Sequence, residues 1–184
     1  LYGIPESEYG GDDEMFNAVH AMRTRIITSP GFTGERILGA ILFENTMDRE
    51  IESRNAVSYL WDVKNVIPFL KVDKGLADEA DGVQRMKPMP DLDALLAKAV
   101  ERGVFGTKMR SVIKEANGPG IAKVVTQQFD YGGNILAHGL VPIIEPEVDI
   151  NAADKRDCED FLRDNLREPL AKLDGELPVI FKLT

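Results

Sequence analysis

Five short apolar runs recur along the chain, separated by longer segments, and the segments after the second, third and fourth runs have apolar residues at helical spacing. The runs cover residues 38–43, 66–72, 105–109, 140–144 and 178–183. Continuous apolar runs of this length, without polar alternation, are typical of parallel strands covered on both faces. The pattern therefore predicts five buried strands.

Four segments outside these runs predict helices with one apolar face. Their apolar positions are Met15, Val19, Met22 and Ile26 in the first, Leu92, Leu95, Leu96 and Val100 in the second, Ile121, Val124, Val125 and Phe129 in the third, and Cys158, Phe161, Leu162, Leu166 and Leu173 in the fourth. Asp12 or Asp13 is predicted to cap the first helix and Asp91 the second. Pro169 is predicted to bend or interrupt the last turns of the fourth. Residues 73–90, with two glycines and two prolines, predict a long loop.

The strand starts are separated by 28, 39, 35 and 38 residues, which is the repeat length of βαβ units. Two α/β architectures accept this spacing, the doubly wound open sheet and the (β/α)₈ barrel. No Gly-x-Gly-x-x-Gly follows any of the runs, so the sequence lacks the usual motif of a dinucleotide-binding doubly wound sheet. A chain of 184 residues fits one domain or part of a larger one. A barrel would have five of its eight strands here.

The net charge and the cysteine content exclude several classes of function. The chain has 22 Lys and Arg against 31 Asp and Glu, a net charge of −9 that repels nucleic acid and anionic lipid. The only cysteine, Cys158, has no partner for an internal disulfide, and no apolar run approaches the roughly 20 residues of a membrane span. No signal-peptide pattern opens the chain. We therefore expect a cytoplasmic protein. Because Leu1 opens the sequence and Thr184 closes an apolar run, we also expect both ends to be cut.

Charged residues stand where the apolar runs end. They are Glu44, then Lys71, Asp73 and Lys74, then Lys108 and Arg110, then Glu145 and Glu147, and finally Lys182. In both α/β architectures the active site lies at the carboxyl ends of the parallel strands. These charged positions are therefore the candidate functional residues.

Lys108, Glu145 and Lys182 are predicted to form one group. Neighbouring strands lie about 4.8 Å apart, so in sequential strand order the three side chains would fall within roughly 10 Å. A lysine inside an apolar strand is rare, because burial disfavours its ammonium form. A desolvated lysine beside another cation is more readily present as a free amine, which attacks carbonyl carbon. The group therefore points to Schiff-base chemistry at Lys182.

Four segments that end strands contain the charged residues named above. They are Phe69-Leu70-Lys71-Val72-Asp73-Lys74-Gly75, Gly106-Thr107-Lys108-Met109-Arg110, Val141-Pro142-Ile143-Ile144-Glu145-Pro146-Glu147 and Phe181-Lys182-Leu183-Thr184. These segments occur in the order seen in class I fructose-bisphosphate aldolase, so the chain resembles that family. Residues 37–46 are also similar, most closely to the shorter bacterial form. The resemblance runs essentially from end to end. It implies a (β/α)₈ barrel, of which this single partial domain, residues 1–184, would supply about strands 2 to 6.

The resemblance also implies an activity, the reversible cleavage of fructose 1,6-bisphosphate to dihydroxyacetone phosphate and glyceraldehyde 3-phosphate in glycolysis. Lys182 would be the Schiff-base lysine and Glu145 the acid/base that dehydrates the carbinolamine and transfers protons. Glu147 would assist Glu145. Lys108 would help keep Lys182 in its amine form and protonate the carbinolamine.

Substrate binding is implied for Lys71, Arg110 and Asp73, which would contact the hydroxyl and phosphate groups of a sugar phosphate. The resemblance implies that no cofactor and no metal take part. The chain is compatible with a homo-oligomer. The family's first-strand aspartate and its later phosphate-binding serine, glycine and arginine have no counterparts here, so we expect the chain alone not to turn over.

Four other interpretations stay open from the residues. A metal-dependent aldolase would need several clustered histidines, and only His20 and His138 exist, both on helical patterns. A phosphosugar decarboxylase or isomerase using Lys71, Asp73 and Lys74 leaves Lys182 unexplained, and other Schiff-base aldolases match the Glu-Pro-Glu segment less well. A partial barrel without activity would carry open strand edges.

Overall fold

A computed structural model describes residues 5, 7, 9–173, 175 and 178–184. The chain divides into two compact units, Leu1–Phe69 and Leu70–Thr184. The first unit contains the start of the chain's α/β alternation. The second contains most of the charged strand ends.

The first unit contains one long helix and several shorter elements. Its elements are α1 (Asp12–Thr28), β1 (Gly39–Leu42), α2 (Glu44–Met47), β2 (Glu50–Ile51), β3 (Arg54–Asn55), α3 (Ala56–Tyr59), a π-helix (Leu60–Lys64) and the start of β4 (Ile67–Lys71). The strands β2 and β3 form an antiparallel hairpin. The Ile67 N–H donates to the Leu38 carbonyl, which places β4 beside the start of β1. The buried ammonium of Lys64 donates to the Ser29 carbonyl just beyond the end of α1.

The second unit has a sheet with helices between its strands. Its elements after β4 are β5 (Val83–Gln84), α4 (Leu92–Glu101), β6 (Gly106–Ile113), α5 (Gly118–Ala137), β7 (Val141–Val148), α6 (Lys155–Lys172) and β8 (Ile180–Phe181). The strand order is β4, β6, β7, β8, and β6–β7 and β7–β8 pair in parallel. The short β5 pairs antiparallel with the end of β6. Sequential parallel strands joined by helices place the carboxyl ends of β6, β7 and β8 together.

The core of the second unit lies where α5 and α6 pack on the sheet. It contains Val83, Ile113, Ile121, Val124, Val125, Val148, Cys158, Leu162 and Leu166. The helical members come from the apolar faces that the helical spacing predicts. Val83 comes from the segment predicted as a loop, and Ile113 and Val148 lie on β6 and β7 beyond the predicted apolar runs. The five predicted strands are all present, although β6 and β7 extend through the charged residues that were predicted to end them.

Several details of the predicted helices are wrong. Gly11 precedes α1, so Asp12 and Asp13 lie in its first turn, where their charge favours the helix dipole without a capping bond among the described residues. Asp91 does precede α4, but its side chain makes no capping bond within the described part of the chain. Val100 is half exposed, and the small Ala99 takes the buried position instead. Pro169 does not interrupt α6, which runs on to Lys172, and the predicted bend at Pro169 stays a prediction.

The segment 73–90 is more ordered than the predicted loop. It contains β5, a bridge between Leu76 and Met86, and a bridge between Ala80 and Val83. Met86 is buried, and its backbone N–H and carbonyl both bind the side-chain amide of Gln127 at 2.9 and 3.0 Å. Pairing with a distant strand and helix therefore orders a segment that has little local signal of its own.

Candidate active site

Three adjacent strands bring Lys108, Glu145 and Lys182 together, as the sequence predicts. The Nζ atom of Lys108 on β6 lies 2.5 Å from Oε2 of Glu145 on β7. Lys182, directly after β8, donates a hydrogen bond from Nζ to Oε1 of the same carboxylate. The Glu145 side chain is only 2% exposed. A buried carboxylate therefore bridges two ammonium groups, an arrangement in which each charge compensates the desolvation of the next.

Lys182 itself is more exposed than its apolar neighbours suggest. The sequence predicts a desolvated lysine, but 54% of the Lys182 side chain is accessible, and both Ile180 and Leu183 are exposed too. The physical reason is position, because β8 has two residues and is the outermost strand of the described sheet. The Lys182 backbone is nevertheless fixed, since its N–H donates to the Ile144 carbonyl at 3.1 Å.

Lys71 and Asp73 form a second charged pair beside the first group. The Lys71 Nζ lies 2.6 Å from Oδ1 and 3.0 Å from the backbone oxygen of Asp73. The Asp73 side chain is 4% exposed, and its Oδ2 has no hydrogen-bond partner among the described residues. Val72, which lies between Lys71 and Asp73, donates its N–H to the Lys108 carbonyl. The pair therefore lies beside Lys108 on the neighbouring strand.

Arg110 and Glu147 form a more accessible pair on β6 and β7. Their nearest atoms, Nη1 and Oε2, are 3.5 Å apart, and both side chains are partly exposed. An ion pair this long and this solvated contributes little to stability. The Arg110 guanidinium can therefore exchange Glu147 for an anionic group of a ligand at small cost.

Gln128 and Ser111 belong to the site's support, and the sequence analysis missed both. Gln128 of α5 is fully buried, and its Nε2 lies 3.0 Å from Ser111 Oγ and 3.2 Å from the Glu145 backbone oxygen. The signal was present in the sequence, because Gln128 continues the apolar spacing of Ile121, Val124 and Val125 with a polar residue.

Asp154 fixes the connection that follows β6. Its Oδ2 accepts a hydrogen bond from the Ala116 N–H at 2.8 Å, and this bond holds the pKa of Asp154 below its usual value. Burial, followed by the hydrogen bond to Asp154, raises the pKa of Cys158 to about 11. Cys158 is thus an inert core thiol that helps hold the Asp154 carboxylate.

The two histidines have backbone partners. His20 Nε2 lies 2.9 Å from the Glu50 oxygen, and His138 Nδ1 lies 2.9 Å from the Asn134 oxygen. Among the described residues, no group of three or more His, Cys, Asp or Glu side chains is placed to hold a metal ion. None of the helices in the described ranges is both long and apolar enough to cross a membrane.

Comparisons with known proteins agree on one family. The family model for class-I fructose-bisphosphate aldolase matches residues 14–162. The chain is 56% identical over 183 residues to the class 1 fructose-bisphosphate aldolase of Synechocystis, a match that covers 100% of this chain and 61% of that protein. The chain therefore spans less than two thirds of the length of this relative.

A solved structure shows the same fold. It is fructose-bisphosphate aldolase from Plasmodium falciparum in a ternary complex with TRAP and a small-molecule inhibitor, with a TM-score of 0.69 and 24% identity. The match covers 89% of this chain and 51% of that one. It confirms the fold predicted from the sequence, part of an α/β barrel, and removes the doubly wound alternative.

Proposed function

Because the chain belongs to the class-I fructose-bisphosphate aldolase family, we propose that Lys182 forms a Schiff base with the C2 carbonyl of a ketose phosphate. The reaction is the reversible cleavage of fructose 1,6-bisphosphate to dihydroxyacetone phosphate and glyceraldehyde 3-phosphate. One observation supports this most strongly, the buried Glu145 carboxylate held between the ammonium groups of Lys108 and Lys182. That arrangement pairs a nucleophilic amine with an acid/base group in direct contact.

Schiff-base formation uses the contact between Lys182 and Glu145. Glu145 accepts a proton from the Lys182 ammonium, and the free amine bonds to C2 of the substrate. The carbonyl π electrons move to oxygen, and transfer of the nitrogen's proton to that oxygen gives the carbinolamine. Glu145 then returns its proton to the hydroxyl group, which leaves as water. The product is an iminium ion on Lys182.

Cleavage uses the same carboxylate a second time. The C4 hydroxyl proton passes to Glu145 while the C3–C4 bonding electrons move toward the iminium nitrogen. Glyceraldehyde 3-phosphate departs and an enamine stays on Lys182. Protonation of C3 and hydrolysis of the iminium release dihydroxyacetone phosphate. Lys108 holds the second carboxylate oxygen and so keeps Glu145 aimed at the reacting atoms.

The other charged residues are proposed to bind the sugar phosphate. Arg110 has an accessible guanidinium suited to phosphate, with Glu147 beside it as an assisting carboxylate. Lys71 and Asp73 would contact substrate hydroxyl or phosphate groups. The net charge of the chain is −9, but these cations are concentrated at the carboxyl ends of the strands. The local positive potential there favours an anionic substrate. The proposal includes a cytoplasmic location and accommodates a homo-oligomer.

Reductive trapping tests the proposal without requiring turnover. The chain is incubated with dihydroxyacetone phosphate, reduced with borohydride and weighed by intact mass spectrometry. We expect an adduct on the wild-type chain and on Lys172→Met, which removes an exposed lysine of α6. We expect none on Lys182→Met. Absence of an adduct on the wild-type chain, or equal trapping by Lys182→Met, would overturn the proposal.

A further inference from the structure

We infer that Gln128 is a positioning residue that sets the place of the Glu145 carboxylate, an inference that rests on the proposed acid/base role of Glu145. Gln128 Nε2 lies 3.2 Å from the Glu145 backbone oxygen and 3.0 Å from Ser111 Oγ. A carbonyl oxygen only accepts hydrogen bonds, so the amide nitrogen of Gln128 must face it. One side chain thus links α5 to both β6 and β7.

Gln128 makes this link from a fully buried position on α5. It lies on the face of α5 that carries Ile121, Val124 and Val125, all buried against the sheet. An amide in such an apolar layer costs free energy unless it is hydrogen-bonded. Its donors are used on the two strands that carry Lys108 and Glu145. These two hydrogen bonds therefore fix the position of α5 along both β6 and β7.

The two sides of Glu145 are thereby held by different groups. Lys108 and Lys182 hold its carboxylate, and Gln128 holds its backbone oxygen. Replacing Gln128 with methionine keeps the length of the side chain but removes its donors. The Glu145 backbone oxygen then loses this partner, and the backbone can relax away from α5. We expect the carboxylate to move relative to Lys108 and Lys182.

A spectroscopic test reads this movement without any substrate. The chain is labelled with ¹³C-glutamate, and the Glu145 carboxyl resonance is assigned by its loss in Glu145→Gln. We expect Gln128→Met to shift that resonance. Ser111→Ala, which removes one of the two acceptors, should shift it in the same direction by less. Ile135→Val serves as the matched control, because it alters a fully buried residue of the same helix about two turns further on.

Trapping with dihydroxyacetone phosphate and borohydride gives the functional readout. We expect Gln128→Met to lower the maximal trapping rate about tenfold, as a small misplacement of a reacting group does, with the half-saturating concentration unchanged. Ile135→Val should retain the wild-type rate. An unmoved Glu145 resonance in both Gln128→Met and Ser111→Ala, or an equal shift in Ile135→Val, would overturn the inference. If the wild-type chain fails to trap, the proposed function fails, while the resonance still decides the role of Gln128.

Discussion

Lys108 binds Glu145 although the two residues are not opposite each other in the sheet. The ladder pairs Glu145 with Arg110 and Lys108 with Ile143, so the contact between Lys108 and Glu145 spans an offset of two residues. The contact between Arg110 and Glu147 has the same offset. A two-residue offset keeps both side chains on one face of the sheet. Two ion pairs with the same diagonal offset, one buried and one accessible, thus lie on one face of β6 and β7 where the proposed chemistry occurs.

Glu145→Gln should abolish most of the Schiff-base reactivity while Lys182 is still present. An amide cannot take the lysine proton or return it to the carbinolamine hydroxyl, and general acid/base groups contribute roughly 10²–10⁴-fold to rate. We expect the trapping rate with dihydroxyacetone phosphate to fall by about 10²-fold or more. Glu159→Gln, at an exposed ion pair of α6, is the control and should trap like the wild type. A Glu145→Gln chain that traps at the wild-type rate would remove Glu145 from the mechanism.

Gly120→Ala should destabilise the chain, because Gly120, in the first turn of α5, packs closely against the segment before β5. A Cβ added at Gly120 would lie 2.2 Å from the Asp81 backbone oxygen. Forcing the two apart should lower the free energy of unfolding by about 1–3 kcal/mol, the usual cost of overpacking. Urea unfolding followed by circular dichroism measures it.

Gly133→Ala is the matched control in the same helix. Apart from the adjacent residues and backbone of its own helix, no described atom lies within 4 Å of a Cβ built there, and alanine is favoured over glycine in a helix interior. We expect this variant to gain about 0.5–1 kcal/mol. If both glycine variants lost the same stability, the close approach of Asp81 to Gly120 would not be the reason why Gly120→Ala is destabilising.

Asp154→Asn should make the stability of the chain less dependent on pH. The Ala116 N–H lowers the pKa of Asp154 in the folded chain, so the carboxylate stabilises the fold above its unfolded pKa of about 4. That contribution is lost as the pH falls through the lowered folded value. The stability difference between wild type and variant should therefore be largest near neutral pH and shrink below about pH 4.

Urea unfolding at several pH values checks the Asp154 prediction. Asp130→Asn, an exposed position in α5, controls for the loss of one negative charge. A gap between wild type and Asp154→Asn that stays constant down to acid pH would contradict an ionised hydrogen-bond acceptor at Asp154.

Cys158 should be almost unreactive in the folded chain. Burial and the Asp154 hydrogen bond raise its pKa to about 11, so roughly one thiol in a thousand is ionised near pH 8, and the sulfur is covered as well. We expect an aromatic disulfide reagent to label Cys158 rapidly in denaturant and at least about a hundredfold more slowly in buffer. Rapid labelling of the folded chain would show that α6 opens from the core.

The strands and the central charged group were predictable because their signals are local. Each apolar run marks a strand, and charged residues two positions apart on a strand share a face. Sequential order of β6, β7 and β8 then suffices to place Lys108, Glu145 and Lys182 side by side. The contact between Lys71 and Asp73 follows from the same two-residue rule.

The rest depends on contacts that no local pattern encodes. β5 pairs with the end of β6, and the buried Met86 has its backbone bound by the Gln127 side chain from a distant helix. Lys182 is exposed because of the place of β8 in the sheet, although its neighbours in sequence are apolar. The support from Gln128 could be inferred only as a polar residue on an apolar helix face. Its partners on two strands required the structure.

Peptide mapping of the borohydride-reduced adduct tests the central claim most directly. The chain is trapped with dihydroxyacetone phosphate, digested and sequenced by tandem mass spectrometry, with Lys71, Lys108 and Lys182 scored in the same digest. The account predicts that the modification is confined to Lys182, the one of these three lysines that is both accessible and in contact with the buried Glu145. A modification at Lys71 or Lys108, or one spread over exposed lysines such as Lys172, would contradict it.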